Sequence, residues 1–110
     1  MTDNRTQQIR RLNDQFRKSG RGGRVVVTAG IKSLGMKAII LIMEKVKNFD
    51  AFNHDNDPYG EHDFGSFDHN GDLIYFKIDY YDKVMEYGST DPANAAVTTR
   101  LLTILLAEEY

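Results

Sequence analysis

The dipeptide Asn70-Gly71 constrains this chain more than any other feature. A two-residue hairpin turn whose twist matches its strands needs positive φ at both positions, and Asn-Gly reaches that conformation at least cost. With these residues as the loop, His69 faces Asp72. The pairs then run back through Asp68 with Leu73, Phe67 with Ile74, Ser66 with Tyr75, Gly65 with Phe76, Phe64 with Lys77, Asp63 with Ile78 and His62 with Asp79. Alternation assigns the faces. Phe67, Ile74, Phe76, Ile78 and Tyr80 point to the core, with Phe76 over the bare backbone of Gly65. His62, Phe64, Tyr75, Lys77, Asp79 and Tyr81 take the opposite face.

Periodicity elsewhere supplies the other elements. Thr2-Asp3-Asn4 offers helix caps, and Ile9, Leu12 and Phe16 recur at helical spacing, so a helix is expected over 4–18. Its polar side carries a basic face of Arg10, Arg11, Arg17 and Lys18, and a Gly-rich linker, 20–23, joins it to the rest. The run RVVVTAGI reads as a strand over 24–29, central in its sheet because Val25, Val26 and Val27 leave no polar face. Met36, Ile39, Ile40, Met43 and Val46 trace an apolar stripe on a helix over 36–49. Asp91-Pro92 resembles an N-cap followed by Pro in the first turn, so the apolar run after it is expected to be a helix over 92–108. Val97, Leu101, Leu102, Ile104, Leu105 and Leu106 would cover more than one face of that helix: it is either buried on two sides or part of a homodimer surface. The expected fold is α+β, one domain over 1–110. A small three-stranded, antiparallel-containing sheet (24–29, 61–68 and 72–81) is packed on one face by the two long helices, with the N-terminal amphipathic helix added.

Composition narrows the chemistry. The chain has no cysteine, which removes disulfides, thiolate metal sites and a cysteine nucleophile, and fits a reducing compartment. No apolar run approaches the roughly 20 residues of a membrane helix, and the N-terminus lacks a signal-peptide core, so a cytoplasmic protein is expected. The net charge of -2 conceals an asymmetry. Residues 1–43 hold nine Lys/Arg against two Asp, whereas residues 44–91 hold four Lys against twelve Asp/Glu. Such a molecule steers toward partners of either sign, or simply carries solvated faces.

The acidic density peaks over Asp55–Asp72, where Asp55, Asp57, Glu61, Asp63, Asp68 and Asp72 share eighteen positions with His62 and His69. Asp55, Asp57 and Gly60 imitate the start of an EF-hand loop, but Tyr59 and Ser66 occupy ligand positions, so calcium is rejected. The spacings among His54, His62 and His69 match no transition-metal pattern; no metal and no cofactor are expected. His62 opposite Asp79 is the catalytic candidate, because a carboxylate beside an imidazole orients it for acid–base work. A cross-strand pair of this kind also stabilises a sheet, by roughly 0.2 to 1 kcal/mol, without catalysing anything. There is no G-x-S-x-G elbow, HExxH or phosphate-cradling glycine loop. The arginines of the first helix could grip phosphates, but no aromatic platform accompanies them.

The strings DNDPYGEHDFGSF, FKIDYYD, YGSTDP and TRLLTILLAEEY, with RVVVTAGI before them, resemble an uncharacterised bacterial family known as domain of unknown function 3768, over about residues 24–110. The resemblance implies a small accessory protein of proteobacterial plasmids and integrated elements, often in the company of antirestriction genes, with no assigned reaction. Three functions follow as expectations. The first is a non-enzymatic inhibitor of a host defence system, of anti-CRISPR or antirestriction type, binding a defence effector subunit through an acidic face that imitates nucleic acid. The second is a small hydrolase using His62, Asp79 and the acidic cluster. The third is a nucleic-acid-binding regulator using the basic first helix.

Overall fold

The computed structural model describes residues 4–110; the caps expected at Thr2 and Asp3 lie outside the described residues. The first helix, α1 (Asn4–Ser19), buries Ile9, Asn13, Phe16 and Arg17. It stops at Gly20, where φ is 74° and the backbone N–H returns to the Phe16 carbonyl at 2.7 Å. Strand β1 (Gly23–Val27) follows, then a single-turn helix, α2 (Ala29–Lys32), capped by the Thr28 hydroxyl, and α3 (Met36–Asn48). The hairpin strands are β2 (Phe64–His69) and β3 (Asp72–Tyr81), and the last strand is β4 (Thr99–Leu106).

The hairpin has the register that Asn70-Gly71 implies. His69 pairs with Asp72, Phe64 pairs with Lys77, and the turn residues have φ of 51° and 91°. The ladder extends one step further, with Ile78 N–H bonded to the Asp63 carbonyl at 2.8 Å. Gly65 is needed where it stands: a Cβ there would come within 2.3 Å of the Phe76 ring and 2.8 Å of Phe49.

Two expectations are corrected. The segment expected as a helix over 92–108 is a strand flanked by one-turn 3-10 helices at Ala95–Val97 and Ala107–Glu109. Its burial runs with period two, Arg100, Leu102 and Ile104 inside and Thr99, Leu101 and Thr103 only half-buried. Both its edges carry ladder hydrogen bonds, parallel to β1 and antiparallel to β3, which satisfy a backbone that a helix would have satisfied internally. The sheet is therefore four-stranded and mixed, in the order β1-β4-β3-β2. Consequently β1 is an edge strand, not a central one, and Val26 is left 42% exposed. Gly23 allows β1 to approach β4, since a Cβ at that position would lie 1.9 Å from the Arg100 carbonyl oxygen.

The core lies on one sheet face. Phe16, Ile31, Ile42 and Val46 from the three α-helices meet Ile74, Phe76, Ile78, Leu102 and Ile104 from the sheet. The opposite face carries Phe64, Tyr75 and the terminal Tyr110 in edge-to-face contact, and the ion pair Lys77–Asp79. No described helix is long and apolar enough to cross a membrane.

Candidate functional site

His62 marks the candidate site. It lies two residues before β2 with φ of 58°, a left-handed conformation that costs a non-glycine residue of order 1 kcal/mol or more and must be held by its surroundings. The holding groups are visible. Asn53 accepts from the backbone N–H groups of Asp55 and Asn56, which tightens the loop. Asp57 Oδ1 then accepts from the His62 backbone N–H at 3.2 Å, and the imidazole stacks flat on Phe52 at 3.9 Å between centroids.

The left-handed turn takes His62 out of the strand alternation. Its Nδ1 lies 2.9 Å from Asp14 Oδ1 and its Nε2 lies 3.7 Å from Asp57 Oδ2. Asp79 does not partner it: that carboxylate accepts from Lys77 at 3.0 Å and pairs in register with Leu101. The expected His62–Asp79 pair is thereby replaced by His62–Asp14. Both ring nitrogens thus face a carboxylate, Nδ1 at hydrogen-bond distance and Nε2 further off.

Asp14 also accepts from Arg17 Nη2 at 3.2 Å. The Arg17 guanidinium is buried against Phe52 and Phe76, and its Nη1 donates to the carbonyls of Val46 and Lys47 at 2.7 and 3.2 Å, capping the last turn of α3. Behind it runs a second polar network. Asn13, fully buried, donates to the Glu61 carbonyl and the Tyr80 hydroxyl, and accepts from Arg100 Nε at 2.6 Å. Tyr80 in turn donates to Glu61 Oε1 at 2.8 Å. Burial pushes the Tyr80 phenol up and the Arg100 guanidinium down from their ordinary values. Asp63 is also raised, first by burial and then by the charge of Glu61.

The six acidic residues do not form one face. Asp57 is 8% exposed and faces His62; Glu61 is bound to Tyr80; Asp63 is half-buried. Asp68 accepts from Gly71 N–H across the turn, and Asp55 and Asp72 are exposed. Nor is the basic face intact, because Arg17 is inside while Arg11 and Lys18 remain exposed and Arg10 is half-buried. His69 is buried with Nδ1 3.1 Å from Lys45 Nζ. Among the described residues no three or more His, Asp or Glu side chains are gathered so as to hold a metal ion.

Arg10, His54 and His62 line one groove of about 440 Å³, with Phe52, Asn53, Asp57, Pro58, Tyr59 and Gly60. Sequence reasoning missed Asn13 and Asp14, which position this wall. One signal was present: Asn13 falls between Ile9 and Phe16 at spacings of four and three, on the apolar stripe where a polar residue demands a partner.

No curated protein and no solved structure matches the chain. The family model described as protein of unknown function (DUF3768) matches residues 27–109, so the chain, from the end of β1 through its last helical turn, belongs to the DUF3768 family.

Proposed function

We propose that this chain is a binding protein, an accessory of a mobile genetic element that inhibits a host defence effector by docking on it. The observation that carries this reading is the helix-free sheet face, where Phe64, Tyr75 and Tyr110 cluster edge-to-face beside the Lys77–Asp79 pair. Protein interfaces are enriched in such aromatics, ringed by polar groups, and the exposed Val26 extends the face to the β1 edge. Imitation of nucleic acid by the acidic stretch has less support, since Asp57 and Glu61 are engaged within the molecule and Asp63 is half-buried. The anti-CRISPR or antirestriction role comes from the family resemblance alone.

The test is inhibition of purified restriction and CRISPR effector complexes by the wild-type chain and by two variants. Tyr75→Ala with Tyr110→Ala should abolish inhibition and co-elution with the effector, while Asp55→Asn with Asp72→Asn should leave both intact. Loss of inhibition only in the acidic variant would return the function to the acidic surface. Failure of the wild type to bind any effector would sink the reading.

A further inference from the structure

Arg10 stands apart from the other arginines of α1. Arg5 pairs with Asp91, Arg11 with Gln8, and Arg17 with Asp14 and two carbonyls. Arg10 is half-buried on the wall of the groove and makes no hydrogen bond or ion pair with a described residue. Its Nη1 lies about 4.0 Å from where a Cβ on Gly60 would be, so the guanidinium reaches across to the loop without finding an acceptor there. A guanidinium has five N–H donors and no acceptor, and partial burial without a partner costs it hydration.

The remainder of the groove is donor-rich. Asn53 Oδ1 is occupied by the Asp55 and Asn56 amides, which leaves its Nδ2 as a donor. His54 and Tyr59 are exposed on the rim and can each donate. The one carboxylate in the wall, Asp57, is already engaged: Oδ1 takes the His62 amide, Oδ2 faces the His62 ring, and the side chain is only 5% exposed. A cavity that offers donors and hides its acceptor is complementary to an oxyanion, and a planar guanidinium favours two oxygens of one phosphate.

We infer that the groove between α1 and the 53–62 loop binds the phosphate group of a small phosphate ester, with Arg10 as the bidentate donor and His54 beside it. The volume of about 440 Å³ suits a mononucleotide-sized ligand. A long nucleic acid is less well matched, because the basic stripe that would track its backbone is interrupted where Arg17 turns inward. The site is independent of the sheet face on the other side of the molecule and stands whether or not that face binds a protein.

Titration calorimetry of the full chain tests the site with four probes: inorganic phosphate, adenosine monophosphate, adenosine and a single-stranded oligonucleotide. Phosphate and the monophosphate should bind saturably at one site, and adenosine should not. Tighter binding of the monophosphate than of phosphate identifies an ester as the preferred ligand. Equal binding reduces the assignment to free phosphate and overturns the ester part. Arg10→Ala should weaken monophosphate binding by about tenfold or more, about 1.4 kcal/mol, and Arg10→Lys should recover only part of it. Asp55→Asn, outside the groove, should bind as wild type. If Arg10→Ala alters the thermal midpoint, His54→Ala carries the same test from the rim. No saturable binding up to about 10 mM, weaker than any useful affinity, overturns the inference. So does oligonucleotide binding that is tighter than monophosphate binding and indifferent to Arg10.

Discussion

The Nδ1 of His62 lies 2.9 Å from Oδ1 of Asp14, joining residues 48 positions apart in the chain. Because Asp14 also holds Arg17, and Arg17 caps α3, a single carboxylate links α1, α3 and the loop that forms the groove. The groove is thus built on the core helices, though its far wall is irregular chain.

Asp14→Ala should release that linkage. Arg17 Nη2 would be left unpaired beside an Nε that already lacks a partner, at a cost of about 1 to 3 kcal/mol, toward the lower end because Asp14 itself is partly exposed. The measurement is urea denaturation combined with amide exchange. Faster exchange over residues 53–62 than over β3 is expected, and an unchanged midpoint with unchanged exchange would show that the loop is held by other contacts.

Asn13→Leu keeps the volume and removes the polar group. Arg100 Nε would lose its acceptor and the Tyr80 hydroxyl its donor, while the Arg100 Nη2 bond to the Pro92 carbonyl at 2.5 Å remains. Leaving a buried group unpaired costs about 1 to 3 kcal/mol, and more where it is charged. Asn13→Leu should therefore destabilise by at least about 2 kcal/mol. A variant as stable as wild type would mean that water replaces the carboxamide.

The parts of this fold that were legible in the sequence are those fixed locally. Asn70-Gly71 determines a register because the turn geometry and the two-residue alternation act on neighbouring residues. The Ile9–Phe16 and Met36–Val46 stripes likewise follow from helical spacing. TRLLTILL was misread for a physical reason: a short apolar run has no decisive period, and Asp91-Pro92 supplied a false start. What settled its conformation was a slot between β1 and β3, whose unpaired backbone edges lie far away in sequence. The site was illegible on the same ground. Strand alternation puts His62 opposite Asp79 only if the strand runs back past Asp63, and the left-handed turn that prevents this depends on Asp57, Phe52 and Asp14 together.

Glu109 provides a pH dependence. Its carboxylate accepts from the Thr28 hydroxyl at 2.6 Å and the Leu106 and Gly30 amides at 2.8 and 3.0 Å, and these bonds, the hydroxyl first, hold its pKa below the usual 4.5. A folded-state pKa below the unfolded value means that the bonds contribute stability in full above about the ordinary value. That stability fades as pH falls through the depressed one. Glu109→Gln should lower the thermal midpoint at pH 7 and flatten its decline below the usual carboxylate pKa. Parallel wild-type and mutant curves across that acid range would show that Glu109 does not tie the C-terminus to α2.

The conformation of β4 can be tested by three leucines. Leu101 and Leu105, four apart, share a face in a helix and in a strand alike, so Leu102 is the discriminating position: in the strand it is buried on the core face at 2% exposure while Leu101 is half-buried on the other. Leu102→Ala should then cost about 2 to 5 kcal/mol, because it opens a cavity in the packed cluster that also holds Phe16 and Ile42. Leu101→Ala should cost about 1 kcal/mol, in line with partial burial. Leu105 separates the faces further. It lies in register with Tyr75, on the helix-free side, yet is only 4% exposed, and the Tyr75 ring there meets the Tyr110 ring at 5.7 Å. Leu105→Ala should approach the Leu102→Ala value, and its cost should shrink when it is made in a Tyr110→Ala background. A large loss at Leu101 beside a small one at Leu102 would contradict this strand's faces and dismantle the four-stranded sheet.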